Sequence, residues 1–287
     1  MVPVSPAEVV HSLESSDALS AGSLGFMPRI LVLTTLPHRR PTSHRFTRVN
    51  GRHSLWLSAS RRVGLPYGTY PRLLLAYLTT GAVQTKSREI QLGATPNDLA
   101  RKLGLSTISG PRGTALRLED QLRRLLSMRL DWQTCLGLAP KSSGSAYVTV
   151  GGASWLKPLR GLFPRQPSWR SHIVLGPDFF AEITRSAVPV DLRAIRHLHR
   201  SPLAFDLYVW LTYRMSYLRK PTSIPWESLK AQFGAGYSRP RDFRTKLTAH
   251  LAHIVEIYPS VRLRGTGTGL WLFPSPPHVG PRTRPSS

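Results

Sequence analysis

Acidic residues and cysteine are scarce in this sequence. Fifteen Asp and Glu stand against 39 Lys and Arg in 287 residues, a formal net charge of +24, and no acidic segment offsets the excess. Such a balance favours a polyanionic partner, either nucleic acid or an anionic membrane surface. The competing explanations are an alkaline enzyme and a ribosome-associated protein. A single cysteine, Cys135, excludes an intramolecular disulfide and any zinc cluster built on cysteines. Long apolar runs are missing as well. Leu73 to Tyr77 is among the longest and falls far short of the roughly 20 residues that span a bilayer. The pattern G-x-x-x-x-G-K-[ST] is absent, which excludes the usual P-loop ATP chemistry. The chain therefore reads as soluble and cytoplasmic, and its 41% hydrophobic residues are enough for folded cores.

Charge is unevenly spread. Residues 1–28 hold no Lys or Arg but carry Glu8, Glu14 and Asp17, and the basic excess begins at Arg29. This Ser-, Ala- and Val-rich start lacks clear periodicity and the basic opening of a signal peptide. We expect a disordered N-terminal segment over 1–35.

A block of elements occurs twice, from about Tyr70 to Val150 and from about Pro202 to Phe273. Leu74-Leu75-Ala76-Tyr77-Leu78-Thr79-Thr80 is echoed by Leu207-Tyr208-Val209-Trp210-Leu211-Thr212-Tyr213. Ahead of the first copy, Asn50-Gly51 turns a β-hairpin between Phe46 and Ser60. The first copy then reads as helix Arg72–Val83, strand Glu89–Leu92, a helix capped by Thr95 and closed by Gly104, and helix Thr114–Met128. Leu116, Leu118, Leu122, Leu125 and Leu126 form that last helix's expected buried stripe, with Arg117, Arg123 and Arg124 off it. Strands Arg129–Thr134 and Ala146–Val150 follow, joined by the Ser/Gly tract Lys141–Ser145. Residues 151–171 are either a linker or a surface loop pinned by Trp155, Phe163 and Trp169. His172–Leu175 reads as a strand, Pro177–Ile183 as a helix and Val190–Leu198 as another helix.

The second copy has helix Pro202–Leu218, the extended piece Ser223–Pro225, helix Trp226–Phe233, helix Ser238–Ile257 and a hairpin of Val261–Arg264 with Leu270–Phe273. This order is that of a winged-helix reader of duplex DNA. The expected fold is thus α+β, with two tandem winged-helix domains, a short N-terminal β-hairpin and disordered termini. Its parts are the first domain with the hairpin at 36–176, the second at 177–279 and a disordered tail at 280–287.

The sharpest candidate site is the start of the second copy's third helix, Ser238 to Lys246. Helix-turn-helix readers place their base-contacting side chains there. Arginine suits the task because its planar fork bonds guanine O6 and N7 together. Arg239, Arg241 and Arg244 are the base-contact candidates, Lys246 a phosphate contact, and the helix N-terminus favours phosphate in addition. The matching place in the first copy offers Arg112 and Arg117, with Arg123 and Arg124 further along toward the backbone. Arg262 and Arg264 lie on the wing hairpin. Against each stands the plainer reading of a solvated basic face. The aromatic long helices are read as core rather than as stacking platforms for single strands.

Catalytic patterns are weak. His197-Leu198-His199 fits the His-hydrophobe-His pattern of rolling-circle nicking enzymes, with Tyr208, Tyr213 and Tyr217 downstream, but it follows a helical segment instead of lying on a sheet strand. His250, His253 and Glu256 share a region of helix without an evident fourth ligand. Gly265-Thr266-Gly267-Thr268-Gly269 is a hairpin tip with no helix after it to cradle phosphate. Glu89, Asp98, Asp120 and Asp131 are too scattered for metal-assisted strand cleavage. No catalytic residue, metal or cofactor is expected.

Several runs resemble the plasmid-encoded RepA replication initiators. They are Leu36 to Pro41, Gly64 to Thr80, Thr85 to Ile90, Pro189 to Arg193, Ser201 to Leu218, and Ile224 through Val279. The resemblance covers roughly 36–279 and is thinnest over 136–171. It implies a non-enzymatic initiator that binds repeated sequences (iterons) in double-stranded plasmid origin DNA. It also implies opening of an adjacent AT-rich segment, recruitment of the host initiator DnaA and the replicative helicase, and a homodimeric state alongside monomers. A winged-helix transcriptional regulator is the alternative, and a rolling-circle nicking enzyme a more distant one.

Overall fold

The computed structural model describes residues 18–108, 110, 113–136, 139–146, 148–151, 171–234 and 236–280. The chain forms two compact units. One is Phe26–Ala187; the other joins Met1–Gly25 to Val188–Ser287.

The first unit does not begin in disorder. Strand β1 (Leu24–Met27) and helix α1 (Arg29–Thr34) are formed, and Ile30, Leu31, Val32 and Leu33 are buried. The expectation of a disordered 1–35 is corrected for its described part, residues 18–35. The physical reason is composition: Phe26, Met27 and Ile30 to Leu33 supply an apolar face that helical and strand periodicity alone does not reveal. Two polar anchors fix it. Asn50 donates from its side chain to the Leu33 carbonyl at 2.7 Å, and Arg29 pairs with Glu182 at 3.1 Å. Burial pushes the Glu182 carboxyl up, but hydrogen bonds from Ser186 and Arg185 and the charge of Arg29 outweigh it and hold it below its ordinary value.

Hairpin strands β2 (Arg45–Asn50) and β3 (His53–Ser58) turn at Gly51, whose φ of 57° is left-handed. Helix α2 (Tyr70–Thr85) starts at Pro71 and buries Leu73, Leu74, Leu75 and Leu78. Strand β4 (Glu89–Gly93) leads to helix α3 (Pro96–Lys102). Here Thr95 Oγ1 accepts from the Asp98 N–H and the Asp98 carboxylate accepts from the Thr95 N–H, a reciprocal cap. Helix α4 (Thr114–Leu126) turns Leu118, Leu122 and Leu125 inward. Leu116, expected on that stripe, is 53% exposed, because two residues, about 200° around a helix, separate it from Leu118.

After α4 the strands diverge from the expected wing. Strand β5 (Arg129–Leu136) pairs with β3 and with β6 (Ala139–Ala146), giving a four-stranded sheet β2-β3-β5-β6. The Lys141–Ser145 tract therefore belongs to a strand and does not serve as a connection. The wing comes from β7 (Val148–Gly151) and β8 (Ser171–Leu175), which join β4 in the order β4-β8-β7. The expected aromatic segment 151–171 lies outside the described residues apart from its ends. Helix α5 (Pro177–Ser186) closes the unit.

In the second unit, strand β9 (Val188–Asp191) takes in Val190 and Asp191, which were expected to open a helix. Helix α6 (Leu192–Leu198) starts only after Asp191, whose carboxylate accepts from the Arg193 N–H at 2.8 Å and pairs with its guanidinium at 2.6 Å. Leu192 donates its N–H to the Ser23 carbonyl, and Gly25 packs so tightly on Leu192 that a Cβ would lie 2.3 Å from its side chain. Helix α7 (Pro202–Tyr217) is buried nearly all round, with Phe205, Leu207, Tyr208 and Leu211 fully inside. The core reading of both long helices stands. Strand β10 (Thr222–Pro225), helix α8 (Trp226–Phe233), helix α9 (Pro240–Ile257) and strands β11 (Arg262–Gly265) and β12 (Gly269–Phe273) complete it. The sheet order is β10-β12-β11.

The second unit thus runs helix, strand, helix, helix, strand, strand; the first follows the same order with β5 and β6 inserted before its last two strands, and in both the first strand pairs with the last. That is the arrangement of a winged helix. In the second unit the chain then folds back over α7. The Tyr208 hydroxyl shares a hydrogen bond with His278 Nδ1 at 2.7 Å and accepts from the Asp191 N–H at 3.2 Å, Tyr258 donates to the Pro276 carbonyl, and Val279 is buried. Burial pushes both phenols up, so they stay neutral. Residues 281–287, expected as tail, lie outside the described residues.

Candidate nucleic-acid interface

Helix α9 divides cleanly by periodicity. Phe243, Leu247, Leu251 and Ile254 recur at spacings of four and three and are buried, which leaves Arg241, Arg244 and Lys246 on the open side. Arg239 is the N-cap residue in extended conformation, and Pro240 sets the first helical φ. Arg239, Arg241 and Lys246 are exposed around the helix start.

Arg244 differs from its neighbours. Its guanidinium donates to the carbonyls of Thr266 at 2.8 Å and Gly267 at 3.2 Å, and lies 4.9 Å over the Trp226 ring. Trp226 in turn donates its indole N–H to the same Thr266 carbonyl at 3.1 Å and its backbone N–H to Thr268. The tip of the β11–β12 wing is therefore tied to the first turns of α8 and α9. Gly269 is required there, since a Cβ would lie 2.3 Å from the Ile224 carbonyl oxygen of the neighbouring strand. Sequence reasoning placed Arg244 among the base readers and gave Trp226 no role. The available signal was a tryptophan at the start of the short helix, directly after Ile224-Pro225.

On the wing, Arg262 faces Phe273 and Arg264 faces Trp271 across the strands. Both guanidiniums lie 6.0 Å from the Phe273 ring, which stacks with Trp271 at 6.4 Å. Both arginines are exposed.

The first unit's candidates are more constrained. Arg112 lies outside the described residues. Arg117 is exposed, its guanidinium 5.9 Å from the Tyr70 ring. Arg123 pairs with Glu119 at 3.0 Å. Arg124 is buried, pairs with Asp120 at 2.8 Å and lies 5.5 Å from the Tyr67 ring. It sits beside Leu125 on the inner side of α4, which corrects its expected place off the stripe. Acidic partners one turn back explain both pairings.

The His-Leu-His pattern sits at the end of α6. His197 packs against the His253 ring at 5.0 Å, while His199 turns back to the Arg196 carbonyl. Burial first, and then the charge of His253, hold His197 below its ordinary value. Among the described residues no group of three His, Cys, Asp or Glu is placed to hold a metal ion, and no helix is long and apolar enough to cross a membrane.

Fold and surface define a strongly basic protein built on two units of winged-helix order. The family model described as plasmid-encoded RepA protein matches residues 65–227, more than half of the chain, and the chain belongs to this family of plasmid replication initiators. It is not a known family of catalysts. The match stops at the start of α8, so the roles of α9 and its wing rest on geometry. Among solved structures, domains 2 and 3 of RctB as a selenomethionine derivative share the fold, with a TM-score of 0.52 and 15% identity over 87% of this chain and 98% of that one. A second structure of RctB domains 2–3 gives a TM-score of 0.49 and 18% identity over 83% and 84%. No curated protein matches.

Proposed function

We propose that this chain binds iterons in the double-stranded DNA of its plasmid origin. The observation behind this reading is the start of α9, where exposed Arg239, Arg241 and Lys246 stand beside a wing that Arg244 and Trp226 hold in place. Arg239 and Arg241 read base edges, Lys246 neutralises phosphate, and Arg262 and Arg264 meet the backbone from the wing. Arg117 serves the first unit as a backbone contact, with Arg112 beside it in sequence. Two readers on one chain suit an iteron of about 20 bp, two turns of duplex. In keeping with its family, the protein then helps to open the origin and engages host DnaA and the replicative helicase. It exists in monomeric and homodimeric forms in the cytoplasm and performs no catalysis itself.

The test is binding of the full chain to the neighbouring origin and to scrambled DNA of equal length across a salt series. A preference of at least ~10³ that survives physiological salt is expected, since contacts to phosphate alone fade steeply. Equal binding to both DNAs would overturn sequence-specific recognition.

A further inference from the structure

The four-stranded sheet of the first unit has an outer face that duplex reading leaves unused. Its inner face buries Leu55, Leu57, Leu130 and Trp132. Alternate residues point the other way, in cross-strand rows: Arg45, Ser58 and Arg129; Thr47, Trp56 and Asp131; Val49, Ser54 and Gln133. Trp56 is 39% exposed and Val49 55%. Thr47 and Asp131 stand directly across from Trp56 on the neighbouring strands, and Asp131 pairs with Arg129 at 2.8 Å.

An exposed tryptophan alone decides nothing; the charge around it does. Between Asp17 and Glu89 the sequence has no acidic residue, while arginines recur throughout. Some are used internally: Arg72 is buried with its guanidinium on the Leu36, Pro37 and Gly68 carbonyls, and Arg29 pairs with Glu182. Arg40, Arg45, Arg61 and Arg62 are exposed. Arg45, Arg61 and Arg62 gather at one end of the sheet, because Arg45 opens β2 opposite Ser58, the last residue of β3, and the Ala59 N–H extends that pairing to the His44 carbonyl. Arg61 and Arg62 follow at once in the turn closed on Ser60.

We propose that this face binds single-stranded nucleic acid, with a base stacked on Trp56 and phosphates held by Arg45, Arg61 and Arg62. Stacked duplex bases present no ring faces to a flat sheet, whereas an unpaired strand does; Asp131 on this face is already paired with Arg129, and the exposed arginines that remain match a polyanion. The site lies on elements other than α9 and its wing, so the inference goes beyond the duplex reading.

The test measures fluorescence anisotropy of the full chain with labelled oligothymidylate of about 20 nucleotides, and in parallel with duplex origin DNA. Trp56→Ala should weaken strand binding about tenfold and Trp56→Phe much less, with duplex binding unchanged. Arg61→Glu with Arg62→Glu, at exposed positions that do not threaten folding, should weaken strand binding and flatten its salt slope by about one unit. Oligouridylate in place of oligothymidylate distinguishes an RNA strand from a DNA strand. Absence of strand binding by the unaltered protein, or no effect of either variant, would overturn the site. Equal losses on strand and duplex would make the face a duplex backbone contact and overturn the single-strand assignment.

Discussion

Arginines three positions apart on one helix have different work to do. Arg241 is exposed with its fork open to solvent, while Arg244 is bound to the wing-tip carbonyls. Arg241→Ala should cost about 1–3 kcal/mol on the specific site and little on random DNA, measured by competition binding. Lys246→Ala should weaken both DNAs together and flatten the salt slope by about one unit. Arg244→Ala should act first on the wing, raising amide hydrogen exchange at Thr266 and Gly269 in the free protein. Unchanged exchange with lost site selectivity would return Arg244 to base reading. Gly269→Ala tests the same corner through packing. With backbone at 2.3 Å in its way, the methyl group should destabilise the second unit by about 1–3 kcal/mol in urea unfolding.

Among elements, helices were the most legible in the sequence and sheet partners the least. Caps are local: Thr95-Pro96 with Asp98, and Ser201-Pro202, announce their helices, and both are found. Strand partners are set by residues far away in the chain. Arg129–Thr134 and Ala146–Val150 looked like one hairpin because they are close in sequence, yet the strands found there, β5 and β7, join different sheets. Val190 and Asp191 were read into a helix because their strand character comes from pairing with β1, far away in the chain, and not from their short pattern. The candidate site was partly legible, since helix position and charge pointed to an exposed basic segment, while side-chain direction separated Arg241 from Arg244 and turned Arg124 inward. Direction matters equally on α4. Leu118→Ala should cost about 2–5 kcal/mol, whereas Leu116→Ala should stay within about 0.5 kcal/mol, both checked by denaturant midpoints.

At the scale of the whole molecule, acid should loosen the second unit. Burial lowers the His278 pKa below 6.5, opposed by Asp191 and reinforced by Arg193. The unfolded chain therefore takes up this proton more readily than the folded one, so stability is full above about 6.5 and falls as pH drops toward the folded value. Urea midpoints should decline from pH 8 to pH 5, and His278→Gln should make that decline shallower, with His53 and His197, also lowered, supplying the remainder.

The second unit is also discontinuous: residues 18–25 belong with those from Val188 onward. During synthesis this stretch is made well before the surface it covers, around Leu192, which follows only after the whole intervening unit. The protein therefore carries an unsatisfied seam through most of its own translation, and a nascent chain arrested before Leu192 holds an exposed end that only completion can cover.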